Sequence, residues 1–162
     1  ANGGIKFATN NVERARVTNN GLTFNGDTAQ ANALDDYEEG SWTPTASSGA
    51  SGFTVTAANC IYTKVGDLVT LHFEVYNPTS VTSSAFKIGG LPYQIASNVQ
   101  VIGSVMVQNV DFPTNRTMIT MYGFSNEFRL YGLGDTQSWD LLNGNEITTS
   151  GFIIGTVSYR VA

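Results

Sequence analysis

The segment DLVTLHFEVY, residues 67–76, alternates apolar and polar side chains over nearly its whole length. Its apolar residues fall at every second position, and they are Val69, Leu71, Phe73 and Val75. Successive side chains of a strand point to opposite faces of its sheet, so this period of two predicts a half-buried antiparallel β-strand. A strand of this kind needs a sheet with one covered face, which restricts the chain to folds that are built around sheets.

Segments with the same alternation follow one another through most of the chain, and turn-forming residues separate them every 8 to 12 residues or so. The further segments for which we predict strands are 53–65, 85–88, 98–110, 116–124, 127–133 and 151–161. No stretch has the period of a helix longer than one or two turns. The predicted fold is therefore all-β, an antiparallel β-sandwich of the jelly-roll type.

The composition agrees with this class and argues against several functions. Charged residues make up 13% of the 162 residues, against roughly 25% in an average globular protein. A net charge of −5 opposes binding to nucleic acid, and one cysteine excludes an internal disulfide and a cysteine-rich zinc site. No apolar run approaches the roughly 20 residues of a membrane-spanning helix. We expect no cofactor, no bound metal and no membrane insertion.

Residues 1–32 differ from the rest of the chain. Three short extended pieces, 5–7, 12–17 and 22–24, are separated by turns rich in Asn and Gly, which tolerate left-handed backbone. Strands this short, with so few apolar residues, are marginal in water on their own. They must bury their apolar surface against copies of the same chain or against the following domain. We favour the copies, and we predict a β-rich stem over 1–32.

The stretch ALDDYEEGSWTPT, residues 33–45, joins this stem to the predicted head over 46–162. It places Asp35, Asp36, Glu38 and Glu39 close together. Neighbouring carboxylates on one segment do not flank a scissile glycosidic bond, and the spacing lacks the pattern of a calcium loop. A run of carboxylates is usually a solvated face. We therefore interpret 33–45 as a neck or linker, in which Trp42 is an aromatic anchor.

Other residues give little sign of catalysis. His72 is the only histidine, and it occupies a polar position in the middle of a predicted strand. Cys60 has no flanking helix start that would lower its pKa, so we expect a small apolar residue buried in a strand. No nucleophile and no acid–base pair can be assigned, and we predict no catalytic residues.

The segment YGLGDTQSWDLLNGNE, residues 131–146, is the best candidate for ligand binding. It surrounds Trp139 with polar side chains, a combination that holds sugars because the ring covers the apolar sugar face while polar groups bond the hydroxyls. The predicted ligand-binding residues are Trp139, Asp135, Gln137, Asp140, Asn143 and Asn145, with Tyr76 and Tyr93 as secondary candidates. The alternative is that Trp139 and Leu141 plug the end of the sandwich.

Three phrases resemble parts of bacteriophage tail fibres. GGIKFATNNVERARVTNNGLTFNGD, residues 3–27, is similar to their stem segments. ALDDYEEGSWTPT, residues 33–45, is similar to a phrase between such stems and the terminal module. YTKVGDLVTLHFEV and IGGLPY, residues 62–75 and 88–93, resemble early strands of that module. The resemblance implies a homotrimeric fibre tip of the virion, joined to the rest of the fibre through its N-terminus and contacting the host surface.

The function that we predict from the sequence is that of a non-enzymatic receptor-binding tip. It would attach the virion to a bacterial surface glycan or an outer-membrane protein, and three sites on one stem would add avidity. Two alternatives stay open. One is a purely structural trimerisation or capsid-decorating module, and the other is a small glycan depolymerase or esterase.

Overall fold

The computed structural model describes residues 4–112 and 114–161, without the side chain of Ala31. Its strands are β1 Ile5–Thr9, β2 Val12–Thr18, β3 Gly21–Phe24, β4 Tyr37–Ser41, β5 Thr45–Ser48, β6 Gly52–Val55, β7 Ile61–Val65, β8 Leu68–Thr79, β9 Lys87–Gly89, β10 Val101–Val110, β11 Met118–Phe124, β12 Glu127–Leu133, β13 Asp140–Leu141 and β14 Ile147–Arg160. The helical segments of the described residues are three single turns of 3₁₀-helix, Gln30–Asn32, Ala57–Asn59 and Gly144–Glu146. The all-β class is confirmed, and within the described part no helix is long and apolar enough to span a membrane.

The chain divides into two compact units. The first comprises residues 1–38 and 64–66, and the second comprises 39–63 and 67–162. The division at 38/39 falls inside the segment 33–45 that the sequence indicates as a neck. Much of that segment is extended, because β4 occupies Tyr37–Ser41, where no strand was predicted.

The first unit contains a three-stranded antiparallel sheet in the order β1–β2–β3. Its three strands were predicted from the sequence, and the structure confirms them. Asn10 and Asn11 have φ of 51° and 61° in the turn between β1 and β2, where the left-handed backbone suits asparagine. The unit also contains an ion pair between Asp36 and Lys64, whose ammonium is almost fully buried. One residue of the acidic cluster thus has a structural partner.

The second unit contains most of a larger antiparallel sheet in the order β4–β7–β8–β14–β10–β11–β12–β9–β5, with β6 on β8 and β13 on β12. The sheet curls over itself because β10 belongs to two layers. Residues 101–103 of β10 pair with β11, and residues 104–110 pair with β14. Gly103 lies at this change of partner, where a Cβ atom would meet the Met121 side chain and stand 2.8 Å from the Thr156 carbonyl oxygen. Only glycine leaves room for β10 to pass between the layers.

The core of the second unit lies between these two layers, as a sandwich requires. Phe73 on β8 stacks on Phe128 of β12 with ring centroids 6.4 Å apart, and Phe128 meets Tyr159 of β14 at 6.2 Å. All three side chains are buried. The apolar face predicted for residues 67–76 is confirmed, since Val69, Leu71, Phe73 and Val75 are at most 1% exposed.

Trp42 belongs to this core. Its ring meets Phe73 edge-on at 5.9 Å, and its Nε1 donates a hydrogen bond to the His72 carbonyl oxygen at 3.1 Å. Trp42 is therefore an anchor of the second unit, with both the apolar body and the N–H of the indole satisfied.

The prediction of one strand over 53–65 was wrong. The segment is broken into β6, a 3₁₀ turn at Ala57–Asn59, and β7. Cys60 is fully buried, as expected, but it ends the 3₁₀ turn and does not lie in a strand. Burial raises the pKa of its thiol, which donates to the Glu74 carbonyl oxygen at 3.6 Å. A buried thiol of this kind is unreactive.

Candidate functional site

The hairpin of β11 and β12 has two chemically different faces. Its inner face is buried in the core through Ile119, Met121, Phe128 and Leu130. The alternation of the strands puts Tyr122, Phe124, Arg129 and Tyr131 on the outer face. The outer face therefore carries three aromatic rings and a guanidinium, where a solvated sheet face would carry small polar residues.

Trp139 extends this aromatic surface. Its ring lies 5.7 Å from the ring of Tyr131, and Tyr131 in turn meets Tyr122 edge-on at 5.9 Å. A groove of about 260 Å³ runs along these rings, and its lining residues are Gln100, Tyr122, Phe124, Arg129, Tyr131 and Trp139. Trp139 is 63% exposed, so it does not plug the end of the sandwich.

The loop that presents Trp139 is held in place where it enters β13. After it, β13 pairs with β12, and the Asp140 carboxylate accepts a hydrogen bond from Arg116 at 2.7 Å. Within it, Thr136 has φ of 56°, in the left-handed region that β-branched residues rarely adopt. Such backbone costs about 1–3 kcal/mol and is concentrated at ligand-binding and active sites. The indole is thus displayed by a braced loop on a rigid hairpin, which is where binding residues commonly lie.

Charged side chains border the groove on its β9 side. The Glu127 carboxylate bonds Arg129 at 2.6 Å and Lys87 at 2.9 Å. Partial burial opposes ionisation of Glu127, but the hydrogen bonds and charges of Lys87 and Arg129 outweigh it and lower its pKa. The hydrogen bond to Glu127 also raises the pKa of Arg129. By formal charge, Lys87, Glu127 and Arg129 sum to one positive charge.

A second depression adjoins the first. It has a volume of about 330 Å³, and it is lined by residues 94–98, Phe124 and Ser125. Phe124 lines both depressions, so the concave surface open to a ligand extends past the groove toward the segment that precedes β10.

The structure brings only some of the predicted binding residues into the groove. Trp139 lines it, Asp140 braces its loop, and Asp135 and Gln137 are exposed on that loop. Asn143 and Asn145 belong instead to the 3₁₀ turn, where the Asn143 N–H donates to Glu146 at 2.5 Å. The Asn145 N–H donates to the Thr82 carbonyl oxygen at 2.7 Å.

The two secondary candidates lie elsewhere. Tyr76 is on β8, where its ring is 6.3 Å from that of Phe152 and its hydroxyl is 3.3 Å from Thr56 Oγ1. Tyr93 packs edge-on against Tyr62 at 5.6 Å, and its carbonyl oxygen accepts a hydrogen bond from Tyr159 at 2.8 Å. Neither residue lines the groove beside Trp139.

The sequence interpretation missed most of the groove. Four other lining residues lie in segments that the sequence predicts as strands, and the prediction gave the outward face of those strands no role in binding. They are Tyr122, Phe124, Arg129 and Tyr131. The available signal was the alternation itself, because aromatic rings occupy positions that should be polar if the face were only solvated.

The described residues offer few candidates for metal binding or for acid–base catalysis. No group of three or more His, Cys, Asp or Glu side chains is arranged to hold a metal ion there. The described side chains that line the groove include no carboxylate. Glu127, the carboxylate beside it, has a lowered pKa, which suits a permanent charge and not a general acid.

Comparison with known proteins links the chain to a phage protein. A stretch of 72 residues is 36% identical to a capsule KN4-specific depolymerase of Klebsiella phage K64-1. That stretch makes up 43% of this chain and 10% of the depolymerase, so the chain spans a small part of the relative. No protein-family profile matches the chain, and no solved structure matches it either.

Proposed function

We propose that this chain is a receptor-binding module of a phage tail fibre or spike, and that its groove binds a bacterial surface glycan. The observation that carries the proposal is the row of half-buried Tyr122 and Tyr131 and exposed Trp139 along the outer face of a rigid hairpin. Aromatic faces stack on the apolar faces of pyranose rings, and Gln100 and Arg129 supply hydrogen-bond donors at the same surface.

The similarity to a phage capsule depolymerase supports this assignment at the level of the virion. The relative is a phage protein whose name specifies a capsule type. The chain covers a tenth of that protein, which fits a module of a longer fibre or spike. We therefore propose that the chain belongs to the virion and that its receptor is a capsular glycan, in preference to an outer-membrane protein.

The same similarity favours a second candidate, which is that the module itself cleaves the glycan. Glycosidases use two carboxyl groups that flank the scissile bond, and one of them must be protonated at working pH. The described lining of the groove supplies no such pair, and Glu127 is held ionised. Binding without cleavage is therefore the better proposal for this chain.

We also propose that the module works as a homotrimer. Apolar side chains of the first unit remain open to solvent in one chain, among them Ile5, Phe7, Val12 and Phe24. Repetition around a symmetry axis covers such faces and removes strand edges. Light scattering at several concentrations should give a mass near three times 17.3 kDa, and a mass of 17.3 kDa at all of them would rule out the trimer.

Cell binding provides the main test of the glycan-binding proposal. The fluorescently labelled chain is applied to Klebsiella strains of different capsule types, including KN4, and to their capsule-deficient derivatives. We expect labelling of one or more capsule types and none of the acapsular cells. Trp139→Ala should remove most of the labelling, since an aromatic contact contributes about 0.5–1.5 kcal/mol beyond the area that it buries, and about 1.4 kcal/mol is tenfold in affinity.

Phe112→Ala is the matched control, because this ring is 39% exposed and lies outside the groove. It should leave labelling unchanged. Equal loss in both variants, or labelling of acapsular cells, would contradict glycan recognition by the groove. Incubation of the chain with the recognised polysaccharide should release no reducing ends, and their release would establish the enzymatic alternative.

A further inference from the structure

We infer that the glycan bound in this groove is acidic, with a carboxylate-bearing sugar seated on Arg129. The inference rests on the proposed function and specifies the chemical class of its ligand. Its basis is a row of side chains across three neighbouring strands. Tyr122 on β11 stands opposite Arg129 on β12, and Arg129 stands opposite Lys87 on β9.

This register puts an aromatic ring directly beside a cation. Residues that face one another on adjacent antiparallel strands have Cβ atoms about 4.5–5.5 Å apart. A pyranose ring stacked on Tyr122 or Tyr131 therefore has its edge within reach of the Arg129 guanidinium. The carboxylate of a uronic acid is attached at that edge, so one sugar residue can satisfy both groups.

The local charge is opposite to that of the whole chain. The cluster of Lys87, Glu127 and Arg129 carries one net positive charge, whereas the chain carries −5. The eight Lys and Arg residues of the sequence are few, and two of them meet at this one face. A local positive charge on an acidic protein attracts an anionic group to that place. It therefore disfavours orientations of the ligand in which its anionic group lies elsewhere on the surface.

The guanidinium is suited to this task. It presents several N–H donors in one plane, and its bonds from Nε and Nη2 to a single Glu127 oxygen hold that plane in place. The Arg129 side chain remains 29% exposed, so a ligand can approach it. Charge-assisted hydrogen bonds to a carboxylate are about twice as strong as neutral ones.

Polysaccharides in matched pairs provide the test. Capsular polysaccharides of the binding strains are compared with the same polymers after carbodiimide activation and borohydride reduction, which turn uronic acids into neutral hexoses. Binding is followed by tryptophan emission. Trp139 is 63% exposed and Trp42 is 6% exposed, so Trp139→Phe identifies the part of the signal that arises in the groove.

We expect binding of the native polymers, with an affinity that falls about tenfold or more after reduction. Arg129→Gln should lower the affinity for the native polymer by a similar factor and leave the reduced polymer unaffected. Salt raised from about 0.05 M to about 0.5 M should weaken binding of the native polymer alone. Arg160→Gln is the control, because it removes an exposed cation whose partner is Asp67, away from the groove.

The contrary outcomes separate the two proposals. Equal binding of native and reduced polymers, dependent on Trp139 and indifferent to Arg129→Gln, would overturn the acidic ligand and keep the glycan-binding function. Absence of any Trp139-dependent binding to polysaccharide would overturn both. Binding to glycan-free outer-membrane proteins that requires Arg129 would assign the groove to an acidic protein receptor and overturn the acidic glycan.

Discussion

The two units of this chain are both built from antiparallel strands, but they differ in how far the apolar side chains of those strands are buried. In the first unit, all five residues of β1 are exposed, and Phe7 is 55% exposed. In the second unit, the alternate residues of β8 are buried completely, and Phe73 is 0% exposed. Both strands pair in antiparallel ladders, although the register of β1 on β2 shifts between Phe7 and Ala8. The comparison shows that hydrogen-bonded pairing is enough to form a strand. Burial of the strand's apolar side chains requires, in addition, a second layer of sheet that packs on it.

The difference follows from the number of layers. In the part of the first unit that the structure describes, the strands form a single three-stranded sheet, and no second layer of that unit covers it there. The second unit folds its sheet over through β10, and each inner side chain meets another layer. In a single chain, the sheet of the first unit gains little stability from its apolar residues. Their exposed surface is available for association with another chain.

The largest expected effect is the contrast between two phenylalanines. Phe73→Ala removes a fully buried ring that touches Trp42 and Phe128, and it should lower the free energy of unfolding by about 3–5 kcal/mol. Phe7→Ala should change it by less than about 0.5 kcal/mol in the isolated chain, because the ring is mostly exposed. Urea denaturation of both variants measures the contrast.

Protein concentration distinguishes the two possible roles of Phe7. If chains associate through the first unit, the cost of Phe7→Ala should rise as concentration rises, because association stabilises the folded state. A large cost that does not depend on concentration would show that Phe7 is buried within its own chain and would break the comparison.

An intermediate effect is expected at Gly155, on the inner face of β14. A Cβ atom there would contact the Phe73 ring, so Gly155→Ala should overpack the core and destabilise it by about 1–3 kcal/mol. Combining it with Phe73→Leu, which vacates part of that space, should recover some of the loss. Thermal melts of the single and double variants report this, and strictly additive costs would show that the two residues do not share the space.

The smallest effect concerns two carboxylates that each bind two cations. Glu13 in the first unit bonds Lys6 and Arg16, and Glu127 in the second bonds Lys87 and Arg129. The pKa of each is lowered in the folded chain. A lowered folded pKa means that the pair stabilises the fold above the ordinary value of 4.5, and that this contribution is lost as the pH falls through the folded pKa.

Glu127→Gln should therefore lower the free energy of unfolding at pH 7 by up to about 1 kcal/mol, and the difference from the natural chain should shrink to zero at acid pH. Glu13→Gln is the counterpart in the first unit, and it should show the same sign. Denaturation series from pH 3 to pH 7 test both. A difference that stays constant across this range would mean that the charge of Glu127 contributes nothing.

Much of the fold could be predicted because alternation is a local property. Residues 67–76 revealed their strand and its buried face, and the short strands of the first unit were visible between their Asn and Gly turns. Where the signal depended on distant partners, prediction was wrong or incomplete. The 3₁₀ turn at Ala57–Asn59 interrupts a run that reads as continuous, and β5 finds its partner β9 some forty residues later in the chain.

The candidate site was predictable only in part for the same reason. Trp139 was recognised from its polar neighbours, which lie close in sequence. Its actual companions are Tyr122 and Tyr131, which reach it through the pairing of β11, β12 and β13. The amide side chain of Asn143 could bind a sugar hydroxyl, but in the structure Asn143 belongs to a turn. The sequence around it is compatible with either role.

The hairpin of β11 and β12 has a consequence for how such a protein can diversify. Seven consecutive residues of each strand carry both the core contacts and the groove, and the two kinds of position alternate strictly. Outward positions such as Tyr122 and Arg129 can be exchanged for others while Met121 and Leu130 stay in the core. A lineage selected to bind a new ligand can thus change four of the six residues that line the groove within this one hairpin and inherit the scaffold intact.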